Sequence, residues 1–181
     1  IVRQSDPTLQ DAYTEGLKVL AEGKVACLIL AGGDASRLGA NIPKGMFDPK
    51  IDDIHSIFEL ITKKVKKVDQ LCRETFPVSP DLGRDRIILL VMTNQTNNSK
   101  ITEFFKHNDY FGYKSIVFFP QSHLPVICQD GQILLRSEEE ILFAPNGNGA
   151  VFQSMFSSGL LDRLVNWGVE YLHLTSVDNI L

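Results

Sequence analysis

Residues 28–45 read Leu-Ile-Leu-Ala-Gly-Gly-Asp-Ala-Ser-Arg-Leu-Gly-Ala-Asn-Ile-Pro-Lys-Gly, an apolar run that gives way to a loop no packed core would ask for. Gly32 and Gly33 permit close approaches that a Cβ would forbid. Backbone N–H groups bared in such a turn can cradle an anion or pair with a base edge. Arg37 offers a planar fork suited to phosphate oxygens. Lys44 adds a point charge on a segment stiffened by Pro43. Phosphate is the natural common ligand of this set. Two familiar phosphate motifs are nevertheless missing. Leu38 stands where Gly-x-x-x-x-Gly-Lys-Ser/Thr would need its second glycine, and Gly32-Gly33-Asp34 breaks the spacing of Gly-x-Gly-x-x-Gly.

Other chemistries find less support. The 181 residues carry a net charge of −4, which gives no general footprint for nucleic acid. The lysines at 63, 64, 66 and 67 fall on a helical pattern and read as a solvated face. Three cysteines, Cys27, Cys72 and Cys128, lack the spacing of a zinc site or a disulfide framework, and Cys27 reads as a small core residue. His55, His107, His123 and His173 match no metal or triad spacing. Asn94-Gln95-Thr96 and Asn97-Asn98-Ser99 fit the glycosylation pattern, which has meaning only in a secreted chain. With no signal peptide and no apolar stretch of membrane-spanning length, a reducing, cytoplasmic setting without a membrane partner is expected. Nothing in the chain sets an oligomeric state.

The elements that must position these residues follow from hydrophobic periodicity. Leu9, Tyr13, Leu17 and Leu20 recur at helical spacing over 7–22, and Gly23 closes that helix. Residues 25–31 form a continuous apolar run, the pattern of a parallel strand buried on both faces. Ile57, Leu60, Ile61, Val65, Val68, Leu71 and Cys72 mark a long second helix, and 76–85 is loop chemistry. Further strands are expected at 86–93, 115–119 and from 171, the last ending in an acid. A short helix at 99–108 is expected, capped by Asn98 or Ser99. Residues 126–135 read as a hairpin turning at Asp130-Gly131, and 150–167 as one helix. Alternating strands and helices predict an α/β fold, a Rossmann-like, mostly parallel sheet flanked by helices with a hairpin insertion. Ligands bind such sheets beyond the carboxyl ends of the strands. The loop 31–39, Gln121 and Asp178 all follow strand ends and could converge there.

The stretch 30–48 resembles the nucleotide-binding loop of the eukaryotic UDP-N-acetylglucosamine pyrophosphorylases, which reads Leu-Ala-Gly-Gly-x-Gly-Thr-Arg-Leu-Gly followed by Pro-Lys-Gly. Four further blocks resemble the family in its own order: 103–112 (EFFKHNDYFG), 117–125 (VFFPQSHLP), 144–150 (APNGNGA) and 176–181 (SVDNIL). The entering helix and strand, 13–33, are similar too. The resemblance covers essentially the whole chain. It implies a uridylyltransferase that joins UTP to N-acetylglucosamine 1-phosphate, releasing pyrophosphate, with Mg²⁺ as cofactor. The backbone of Leu30, Ala31, Gly32 and Gly33 would line the uridine pocket, while Gln121, Gly147 and Asn148 contact the uracil. Arg37 and Lys44 would grip the triphosphate, and Asp178 would hold the metal. A related UDP-sugar or UDP-glucose pyrophosphorylase, or a non-catalytic nucleotide-binding homologue, are the alternatives.

The resemblance departs at Asp34, where the family carries a neutral amide, and at Ala35-Ser36, where it carries Gly-Thr. Ala35 is expected to strain the loop if the family glycine sits at positive φ. The family's sugar-binding residues and a second metal-binding aspartate would follow Leu181. Residues 1–181 therefore read as the nucleotide-binding portion of a catalytic domain, truncated at both ends.

Overall fold

The computed structural model describes residues 7–35, 39, 41–77 and 81–179. Helix α1 (Pro7–Ala21) leads into β1 (Val25–Leu30), and α2 (Ile57–Thr75) into β2 (Ile88–Thr93). Helix α3 (Asn98–His107) precedes β3 (Ile116–Pro120). Four short strands follow: β4 (His123–Pro125), β5 (Leu135–Ser137), β6 (Glu140–Ile141) and β7 (Phe143–Pro145). Helices α4 (Ala150–Ser157) and α5 (Leu160–Asn166) then lead to β8 (Tyr171–Ser176). The main sheet has the order β3-β2-β1-β8, and all its pairs are parallel.

The sheet has two covered faces because successive side chains point oppositely. Ile29, Leu89 and Val91 pack with Ile57, Phe58 and Ile61 of α2 and Ile101 and Phe105 of α3. Ala26, Leu28, Leu90 and Met92 pack with Val151 and Met155 of α4 and Leu160 and Leu164 of α5. All six residues of β2 are buried, as its unbroken apolar run requires. Of the phenylalanines expected in the core, Phe105 and Phe119 are buried, and Phe104 and Phe118 pack half-buried against it. Phe105 meets Phe58 and Phe118 with ring centroids 4.9 and 5.0 Å apart. The lysines at 63, 64, 66 and 67 are exposed on α2, as their spacing predicts.

Five local expectations change. Leu9 and Tyr13 are 40% and 52% exposed, because α1 reaches the core through Leu17 and Ala21, which pack with Cys72. Cys27 is only half-buried, although burial still pushes its thiol pKa up to about 11. Strand β2 begins two residues late. Arg86 and Ile87 instead donate their N–H groups to the buried Asp69 carboxylate, at 2.6 and 3.3 Å. The 126–135 hairpin does turn at Asp130-Gly131, but Ile127–Ile133 is its one bridge. Ile127, Ile133 and Leu135 are exposed, so no core lies beneath that arm to extend its ladder. The expected helix 150–167 is two helices, since Gly159 adopts φ +68° between α4 and α5.

The N-terminus of α3 differs as well. Asn97 occupies the cap position, and its side chain turns back to residue 94 instead of capping the helix.

Candidate nucleotide site

Strand β1 delivers its chain to the carboxyl edge of the sheet at Leu30. The next residues fold into a loop whose two limbs are zipped together. The Lys44 N–H donates to the Gly33 carbonyl at 3.1 Å, and the Ala35 N–H donates to the Ile42 carbonyl at 2.8 Å. Lys44 is thereby set directly behind the paired glycines. Its successor is a glycine for a steric reason: a Cβ on Gly45 would lie 2.2 Å from the ring of the fully buried Phe58. The Pro-Lys-Gly turn thus rests flush on the core and holds its lysine outward.

The register of β1 with β8 sets the acid. Leu30 pairs with Ser176, and the Val177 N–H donates to the Leu30 carbonyl at 3.2 Å, which places Asp178 beside the glycine loop. Lys44 Nζ stands 2.9 Å from Asp178 Oδ1 and 3.0 Å from Oδ2. The Asp178 side chain is 58% exposed, so this pair faces solvent in the cleft.

The third wall comes from pairing outside the main sheet. The Gln121 N–H donates to the Thr93 carbonyl at 2.8 Å, which holds Gln121 at the end of β2. Strands β4 and β7 pair His123 with Pro145 and so bring the 146–149 turn beside Gln121. The Asn146 N–H to Ser122 carbonyl bond, at 3.1 Å, locks that approach. Gly147 and Asn148 then lead directly into α4.

These walls enclose a cleft of 310 Å³. Among the residues lining it are Leu30, Gly32, Gly33, Lys44 and Gln121, and opposite them Gly147, Asn148 and Asp178. Eight of the ten residues singled out from the sequence therefore meet in one place. Ala31 lies beneath the cleft, wholly buried in the core. Arg37 lies outside the described residues.

The departures at 34 and 35 are accommodated. Ala35 is buried without a positive φ, so the loop carries no strain there. Asp34 lines a neighbouring cavity of 560 Å³, with Thr96, His123 and Arg136 among its walls. Two residues that sequence reasoning passed over also touch the loop. Asn94 and Asn97, noted above only for a glycosylation pattern, are buried and donate to the Gly32 carbonyl. The cluster of asparagines after a strand end signals the turn they form, since Asx side chains fold back on local backbone, but not its contact with Gly32.

Among the described residues no cluster of three His, Cys, Asp or Glu side chains could hold a metal, and no helix is long and apolar enough to cross a membrane.

Known proteins share this chain's fold and much of its sequence. A protein of Schizosaccharomyces pombe described as a probable UDP-N-acetylglucosamine pyrophosphorylase is 38% identical over 93% of this chain, and the match covers 36% of that protein. The human UDP-N-acetylhexosamine pyrophosphorylase-like protein 1 is 31% identical over 98% of this chain and 35% of its own length. The crystal structure of the uridine diphosphate N-acetylglucosamine pyrophosphorylase from Trypanosoma brucei, in complex with an inhibitor, superposes with a TM-score of 0.85 at 29% identity. That likeness covers 99% of this chain and 38% of the other. The chain thus spans a little over a third of the length of these relatives. The profile of one family matches residues 3–181, and on that match the chain belongs to the UTP–glucose-1-phosphate uridylyltransferase family.

Proposed function

We propose that this chain is the nucleotide-binding part of an enzyme that transfers a uridylyl group from UTP to N-acetylglucosamine 1-phosphate, releasing pyrophosphate. The observation that carries the reading is the cleft, where a glycine loop, a lysine, two amide side chains and an aspartate gather beyond the carboxyl ends of parallel strands. Gln121 supports the base assignment. It is 5% exposed, and its Oε1 is buried with no hydrogen-bond partner among the described residues. An unpartnered acceptor calls for an N–H donor, which uracil presents at its ring nitrogen and cytosine does not. Asn148 reads a neighbouring part of that edge.

Lys44, with Arg37 from the same loop, neutralises charge that builds on the phosphates as the sugar phosphate oxygen attacks the α-phosphorus and pyrophosphate leaves. No covalent protein intermediate is required, so alignment and preorganised cations supply the rate. Asp178 fits a role with Mg²⁺. It contributes one exposed carboxylate, and this ion takes most of its ligands from phosphate and water. When bound there, Mg²⁺ supplies Lewis-acid polarisation of phosphate oxygens. Lys44, which holds both carboxylate oxygens in this structure, would then be free to face the phosphates. Three free cysteines suit the reducing cytoplasm as the setting.

The matching family is described by glucose 1-phosphate, whereas the relatives above are named for N-acetylglucosamine or N-acetylhexosamine. The names of the more similar proteins favour the acetylated sugar. The test is calorimetric titration of the full-length protein with UTP, CTP and ATP in the presence of Mg²⁺. A pyrophosphate-release assay with each sugar phosphate accompanies it. UTP is expected to bind preferentially and N-acetylglucosamine 1-phosphate to turn over faster. Equal affinity for ATP would remove uridine recognition.

A further inference from the structure

The Gly32 carbonyl, at the centre of the glycine loop, does not face the cleft as an open group. It accepts from Asn94 Nδ2 at 2.7 Å and from Asn97 Nδ2 at 3.3 Å. Both asparagines are buried, at 4% and 5% exposure. Each also holds the other. The Asn94 N–H donates to Asn97 Oδ1 at 2.9 Å, the Asn97 N–H donates to Asn94 Oδ1 at 2.7 Å, and the Thr96 hydroxyl donates to Asn94 Oδ1 at 2.7 Å. A backbone N–H cannot accept a hydrogen bond, so these partners fix both amide orientations: oxygen to the turn, NH₂ to Gly32. The turn itself is fastened to α3, where the Asn98 N–H donates to the Asn94 carbonyl and the Ile101 N–H to the Asn97 carbonyl, each at 2.9 Å.

A trans peptide points its C=O and its following N–H in opposite directions. With the Gly32 oxygen drawn into the 94–97 turn, the Gly33 N–H is directed away from it, and Gly33 lines the cleft. That N–H meets no acceptor among the described residues. The same glycine fits against the base-reading side chain: a Cβ on Gly32 would lie 2.4 Å from Gln121 Nε2. One carbonyl orientation thus governs both a bare donor and the seat of a buried amide.

We propose that Asn94 and Asn97 form a clamp that positions the Gly32–Gly33 peptide for the uridine half of the nucleotide, acting through the backbone and not by touching the ligand. This rests on the uridylyl-transfer reading above.

The test uses the full-length protein and the variants Asn94→Asp, Asn97→Asp and Thr96→Ala. Either aspartate keeps an oxygen for the turn's N–H groups but sets a second oxygen against the Gly32 carbonyl, turning a donor into a repelling acceptor. The clamp predicts that UTP binding, measured by calorimetry, weakens about tenfold or more in Asn94→Asp, the cost of one lost directed hydrogen bond. The loss should be smaller in Asn97→Asp, whose bond is longer. Binding of inorganic pyrophosphate, which lacks the base, should stay as in the wild type. Thr96→Ala removes one donor to Asn94 Oδ1 while the Asn97 N–H still holds that oxygen, so UTP affinity should fall less than in Asn94→Asp. Should Asn94→Asp fail to fold, Asn97→Asp tests the same carbonyl. Wild-type UTP affinity in folded aspartate variants would overturn the clamp and leave the uridylyl reading standing. Equal loss for UTP and pyrophosphate would likewise overturn it, as a merely structural role. A wild-type protein that does not prefer UTP over ATP would remove the reading and the clamp together.

Discussion

Lys44 and Asp178 lie 134 residues apart in sequence and 2.9 Å apart in space. The pair does little for stability, because exposed ion pairs contribute less than ~1 kcal/mol. On the proposed reading, its worth lies in catalysis. In the full-length enzyme Lys44→Ala is expected to lower kcat by roughly a hundredfold or more, the ~2–4 kcal/mol lost with a preorganised charge partner. The unfolding midpoint should hardly move. The same variant frees Asp178, so Mn²⁺ titrated without nucleotide, and followed by electron paramagnetic resonance, should bind more tightly than in the wild type. Wild-type turnover in Lys44→Ala would show that the lysine does not face the reacting phosphates.

At the scale of elements, the turn carrying Lys44 is seated by what its glycine lacks. Gly45→Ala would push a methyl into Phe58, which is fully buried and packs on Phe105 with ring centroids 4.9 Å apart. Overpacking of this kind costs ~1–3 kcal/mol. Thermal unfolding should register it at roughly 2–4 °C per kcal/mol, and kcat/KM should fall as well because the lysine rides on that turn. A variant with the wild-type midpoint would mean that the turn is not pressed against the core. Element types were legible wherever local periodicity decided them. Helix α2 begins directly after Ser56, whose hydroxyl accepts from the Glu59 N–H at 3.0 Å, and its buried stripe repeats at helical spacing. The break at Gly159 was not legible. A glycine costs a helix only about 1 kcal/mol, and packing of α4 and α5 on the sheet chose the left-handed turn.

For the whole molecule, the sheet buries β2 fully, β1 in part and its outer strands less. Tyr171 and Leu174 of β8 are 55% and 42% exposed. Phe152 and Phe156 of α4 are 63% and 76% exposed, and Val165 of α5 is 72% exposed. Phe152 and Phe156 are four residues apart and share one helix face. Large apolar side chains left open in this number promote association. A protein consisting of residues 1–181 is therefore expected to scatter light increasingly with concentration. The double variant Phe152→Glu, Phe156→Glu should reduce that scattering. A monodisperse monomer at high concentration would show that these side chains find cover within the chain.

The alternation of the main strands and helices, the parallel sheet and the backbone freedom of the glycine loop were set by the sequence alone. Each depends on neighbours a few residues away: unbroken apolar runs in β1 and β2, the helical period in α2, and adjacent glycines after a strand. Only the tertiary structure decided which polar residues face one another. Lys44 meets Asp178 because β1 pairs with β8 in one register, and Gln121 meets Asn148 because β4 pairs with β7. A register summed over many distant backbone bonds leaves no local mark. The Asn94–Asn97 clamp is decided the same way, since nothing near those asparagines signals that a carbonyl 62 residues earlier will come within 2.7 Å.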